Sequence, residues 1–170
     1  MIQIKNAAEL EKMRRACAIS AAALKAGGEA IEPGISTAEI DKIIYDFIVR
    51  HGARPNFLHL YGFPATACIS VNDTVIHGIP SRNQKIRPGD IVSIDTGCKV
   101  DGFNGDNACT FACGKVDKEA QRLLDVTRES LHRGIAAAQA GARIGDIGHA
   151  VQSYVEENGF SVVRAFVGHG

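Results

Sequence analysis

Asp95 and Asp106 stand near the facing ends of a segment that reads as a β-hairpin, Ile91-Val-Ser-Ile-Asp-Thr-Gly-Cys98 through Gly105-Asp-Asn-Ala-Cys-Thr-Phe111. A carboxylate inside an apolar strand is costly unless a cation neutralises it. A type I′ turn centred on Asp101-Gly102 would set Asp95 opposite Ala108. Asp106 would then lie diagonally beside Asp95 on the same face, about 7–8 Å away, close enough for the two carboxylates to share a metal ion. The alternative is a pair of surface aspartates flanking a turn, the ordinary fate of Asp near Gly and Asn.

The elements that must hold this hairpin follow from periodicity. Leu10, Met13, Cys17, Ala21 and Leu24 recur at helical spacing and predict an amphipathic helix over residues 7–26, opened by an Asn6/Glu9 capping box. Gly27-Gly28 and Glu32-Pro33-Gly34 are expected to break the chain. Ser36-Thr-Ala-Glu39 then caps a second helix carrying Ile40, Ile43, Ile44, Phe47 and Ile48, which ends at Gly52. From there to Cys113 the texture turns to short β-rich runs at 66–71, 74–76, 91–98 and 108–113, an antiparallel meander. A long helix over 118–138, a shorter one ending at Asn158 and a strand over 160–167 complete the prediction.

Composition narrows the class. With 170 residues, 45% of them apolar, the chain can bury one sizeable core. The 19 basic and 19 acidic residues cancel without forming a basic stripe, so neither nucleic acid nor an anionic membrane is an expected partner. Five cysteines without a C-x-x-C pair read as reduced, mostly buried thiols, and no stretch is long and apolar enough to span a bilayer. A cytoplasmic protein is expected.

The chain also repeats itself. Laying residues 34–52 over residues 141–159 pairs Gly34 with Gly141, Ile40 with Ile147, Ile44 with Val151, Phe47 with Tyr154 and Gly52 with Gly159. Chance likeness between amphipathic helices is the competing explanation, but the flanking elements follow in the same order. Residues 1–114 are then a first pseudo-repeat and 115–170 the start of a second. On this expectation the second unit is incomplete and the single catalytic domain is C-terminally truncated.

The blocks Asn72-Asp-Thr-Val-Ile-His77-Gly-Ile-Pro80, Pro88-Gly-Asp-Ile-Val-Ser-Ile-Asp95, Asp101-Gly-Phe-Asn-Gly-Asp106-Asn-Ala-Cys-Thr-Phe111 and Val167-Gly-His169-Gly170 closely resemble type I methionine aminopeptidases of peptidase family M24. The resemblance runs over residues 4–170 with the family's order and spacing. It implies an α+β fold, the internally duplicated pita-bread (creatinase/aminopeptidase) arrangement of helix-helix-strands units around an antiparallel sheet. It further implies a cytosolic enzyme that hydrolyses the initiator methionine from nascent polypeptides with two divalent ions, drawn from Co, Mn, Fe or Zn. By the same resemblance Asp95 chelates one ion, Asp106 bridges both, His169 binds the other, and His77 hydrogen-bonds substrate at the scissile amide. Carboxylate and imidazole together leave the metal's identity open.

Each assignment has a plainer rival: His77 as a turn histidine, His169 as a solvated residue, and Phe63 and Cys68, which match pocket-lining positions, as simple core. Leu60 and Tyr61 depart from the family's usual order, and Asn104 stands where a histidine is common. His51, His59, His132 and His149 match no motif and are expected at helix ends, loops or the surface. The family's two glutamate ligands and a second substrate histidine lie beyond residue 170. With three of five ligands, the chain is expected to bind divalent metal weakly and to turn over little. Expected partners are N-terminal peptides of nascent proteins, met at the ribosome, with neither direct nucleic-acid nor membrane binding and a monomeric state when full length. A proline-directed peptidase of the same fold and a catalytically inactive binding module are the alternatives.

Overall fold

The computed structural model describes residues 3–166 and 168. Helix α1, Ala7–Glu29, starts at the expected box: Asn6 Oδ1 accepts the Glu9 N–H and Glu9 Oε2 accepts the Asn6 N–H. It does not stop at Gly27. The helix runs through both glycines because they are contact points: a Cβ on Gly27 would lie 2.7 Å from Ile44 Cδ1, and one on Gly28 would lie 2.2 Å from the Phe111 ring. Its buried stripe is also rotated from the expected one, to Ala16, Ser20, Ala23, Leu24 and Gly27, leaving Leu10 41% exposed and Cys17 and Ala21 outside. Small residues win this face because they let the helix backbone approach the sheet.

Helix α2, Thr37–Arg50, buries Ile40, Ile44 and Ile48 completely. Its cap is charge-assisted: Glu39 Oε2 accepts from Ser36 N–H (2.8 Å) and Oγ–H (2.6 Å) and pairs with Lys85. The Ser36 hydroxyl and amide, then Lys85, lower the Glu39 carboxyl from the usual 4.5 to about 2. Because the folded value is the lower one, the cap's contribution is complete above pH 4.5 and is lost as pH falls toward about 2. Glu39→Gln is therefore expected to flatten the acid limb of a circular-dichroism unfolding profile within that window; an unaltered limb would contradict the assignment.

The sheet is antiparallel and centred on β3, Ile91–Val100. Strand β4, Phe103–Ala112, pairs with all of β3, so β1, Arg54–Pro55, and β2, Ala67–Val71, share its other side. Alternation along β3 sends Val92, Ile94, Cys98 and Val100 into one core with α1 and α2. Residues 74–76 form no strand. The chain reverses at Asn72 (φ 53°), whose side chain bonds Asp90 and the Ile91 N–H, and it is Gly78 that meets the β2 edge.

The chain divides at Val116/Asp117 into two compact units. The second holds α3, Lys118–Ala137, and α4, Ile144–Glu157. The duplication expected from sequence recurs in the internal geometry of each. Gly34 and Gly141 have φ of 95° and 92°, Gly52 and Gly159 of 70° and 77°. Both α2 and α4 close with the same Schellman bonds, Gly52 N–H to Val49 O and Ala53 N–H to Ile48 O, matched by Gly159 to Glu156 and Phe160 to Val155. A contact the sequence reading did not include follows the same offset: Gly27 faces Ile44 and Ile40, and Gly134 faces Val151 and Ile147. The strand expected over 160–167 is absent among the described residues 160–166; Val167 lies outside them.

Candidate metal centre

Asp101 (φ 50°) and Gly102 (φ 87°) form the two-residue turn between β3 and β4, both left-handed as a type I′ hairpin requires. That turn sets the register: Asp95 faces Ala108 and Gly97 faces Asp106. Asp95 and Asp106 are thus diagonal neighbours on the face opposite the core, at the roughly 7–8 Å spacing of such pairs. Ser93 and Thr110, bonded at 2.8 Å, lie on this face too, as does Cys68, which β2 places opposite Asp95. Asp95 is partly covered and Asp106 exposed.

Two glycines make the arrangement possible. A Cβ on Gly105, on the core side, would lie 2.3 Å from the Ala16 carbonyl oxygen, so α1 rests directly on the residue before Asp106. A Cβ on Gly97 would lie 3.1 Å from Asn56 Nδ2 and 3.2 Å from Phe57 Cε1. Phe57, which sequence alone did not single out, therefore packs against Gly97, the residue that β4 pairs with Asp106. The available signal was a glycine inside a strand, which marks close approach of another segment.

Phe63 is half-buried and ends the 3-10 turn Leu60–Gly62, its carbonyl accepting the His59 N–H at 2.8 Å. Tyr61 and Leu60 point largely to solvent, at 101% and 49% exposure. His77 has φ 57° and is exposed, and its neighbour Gly78 docks on the β2 edge by accepting the Ile69 N–H (2.8 Å) and donating to Ser70 Oγ (3.0 Å). His169 lies outside the described residues. The five cysteines are free thiols, with Cys68, Cys98 and Cys113 buried and Cys17 and Cys109 exposed. A groove of about 720 Å³ between the start of α2 and residues 82–85 is lined by none of Asp95, Asp106, Cys68 or His77.

Charge at the aspartate face favours a cation. Burial first, then the carboxylates of Asp95, Asp106 and Asp41, push the Cys68 thiol up to about 11. Negative potential that resists a further anion stabilises a divalent ion at the same place, and carboxylate oxygens are the donors hard cations prefer. The two aspartates fit as part of a metal's donor set. Among the described residues no third His, Cys, Asp or Glu completes a cluster.

A helix-helix-sheet unit followed by a second helix pair with the same turn geometry defines the class: the α+β pita-bread fold. The chain belongs to metallopeptidase family M24, whose family model matches residues 11–170. It is 49% identical to a methionine aminopeptidase of Clostridium perfringens over 170 residues, all of this chain and 68% of that protein. The crystal structure of the methionine aminopeptidase from Thermotoga maritima superposes with a TM-score of 0.97 at 37% identity, covering 100% of this chain and 68% of the other. Prolidase from Pyrococcus furiosus shares the fold at TM-score 0.81 and 23% identity, covering 92% of this chain and 44% of the other. No helix among the described residues is long and apolar enough to cross a membrane.

Proposed function

We propose that this protein removes the N-terminal methionine of polypeptides, nascent chains in the cytoplasm being its substrates, and that Asp95, Asp106 and His169 hold its two divalent ions. The observation that supports this most is the hairpin register, which aligns Asp95 and Asp106 on one open face. Bound divalent ions supply the Lewis acidity that polarises the scissile carbonyl. Asp95 and Asp106 bring the negative charge that holds them. Phe57, Phe63 and Cys68 offer an apolar and thiol-lined wall suited to a thioether, recognised by dispersion and shape. His77, kept at the β2 edge by its neighbour Gly78, is the group that donates a hydrogen bond to the charge developing on the substrate.

The test compares Met-Ala-Ser with Xaa-Pro peptides in the presence of Mn²⁺ or Co²⁺. Methionine release is expected from Met-Ala-Ser, with Xaa-Pro peptides left uncleaved. Preferential cleavage at Xaa-Pro would replace this reading with a proline-directed peptidase. His77→Ala is expected to lower kcat by about 100-fold or more with little change in metal affinity; an unchanged kcat would remove His77 from the chemistry.

A further inference from the structure

The outer edge of β2 is a row of amides that β3 does not use. Alternate residues of an edge strand turn their N–H groups away from the sheet, and each needs another acceptor. The Ile69 amide finds Gly78 O. The Ala67 amide, together with that of Thr66, finds a carboxylate from a different element: Asp41 Oδ1 accepts both, at 2.8 and 2.9 Å. Asp41 follows Ile40, fully buried in α2, so the acceptor is mounted on an element that the core holds rigidly.

These two bonds lie where residues 56–66 rejoin the sheet. That loop leaves β3 at Gly97, whose carbonyl accepts the Asn56 N–H at 2.9 Å, and it carries Phe57 and Phe63 before returning at Thr66. One end of the wall beside the metal face is thus tied to β3 and the other to α2. We propose that Asp41 is the positioning residue of this site: its Oδ1 clamps the Thr66 and Ala67 amides, and so holds Cys68 opposite Asp95 and the far end of the 56–66 wall in place. The importance of this wall for substrate rests on the methionine aminopeptidase reading, whereas the clamp does not.

The test therefore uses readouts that need neither metal nor turnover. In Asp41→Ala, hydrogen exchange at the Thr66 and Ala67 amides and iodoacetamide alkylation of Cys68, followed by peptide mapping, are each expected to accelerate by about tenfold or more. Asp41→Asn keeps an oxygen able to accept both amides, and it is expected to restore both rates to within about twofold of wild type. A general loss of stability would not be repaired in this selective way. Unchanged rates in Asp41→Ala, or an Asn variant that behaves like Ala, would overturn the clamp. If Asp41→Ala does not fold, the unsubstituted protein decides: amides 66 and 67 exchanging at unprotected rates would overturn the proposal, and protection retained in Asp41→Asn would uphold it. Failed methionine release with these rates as expected would sink the functional reading alone.

Discussion

Asp106→Ala is expected to lower Mn²⁺ affinity, measured by titration calorimetry, by at least the roughly 10- to 100-fold that loss of a mere outer-shell partner costs. The reason is geometric as well as electrostatic. Asp106 sits diagonal to Asp95, and removing it leaves one carboxylate where the hairpin presents two. Asp101→Ala is the matched control, because Asp101 occupies the turn and pairs with Arg15 rather than facing the site. Its effect belongs to turn strain, with metal affinity preserved. Equal affinities in Asp106→Ala and the unsubstituted protein would eliminate the metal assignment for this face.

Gly105→Ala is expected to destabilise the protein by about 3 kcal/mol, the upper part of the usual overpacking range, read from the midpoint of denaturant unfolding. A single added methyl meets Ala16 O at 2.3 Å, Ala16 C at 2.4 Å and Cys17 N at 2.6 Å, all backbone atoms of a helix that cannot rotate aside as a side chain would. Relief requires α1 and β4 to separate, and Asp106 moves with β4, so metal affinity should fall with stability. Gly148→Ala provides the contrast. Gly148 lies inside α4, and its added Cβ would meet nothing within 4 Å, so the change should raise helix stability by about 0.5–1 kcal/mol. A Gly105→Ala protein as stable as the original would mean that α1 does not rest on the hairpin.

The parts of this molecule readable in advance are those decided by residues close in sequence. Asn6 with Glu9 and Ser36 with Glu39 are capping boxes three residues apart, and the structure forms both. Asp101-Gly102 selects the turn, the turn selects the register, and the register puts Asp95 and Asp106 on one face. Gly27 and Gly28 misled for an equally physical reason. Taken locally, paired glycines are helix breakers, but here Ile44 and the Phe111 ring occupy the space their side chains would need, and the helix passes through them. Likewise Val75 and Ile76 have strand-like character, yet Ile69 bonds to Gly78 instead, leaving both exposed.

By itself, then, the sequence determined the caps, the hairpin with its two aligned carboxylates, the internal duplication and the likeness to metallopeptidase family M24, since each is written in short-range spacing or in ordered motifs. Only the tertiary structure decided which stripe of α1 is buried, why Gly97 and Gly105 must lack side chains, that Phe57 packs against Gly97, and that Asp41 grips the start of β2. These depend on backbones brought together from distant parts of the chain, where the distance of closest approach, rather than residue type or period, selects what fits.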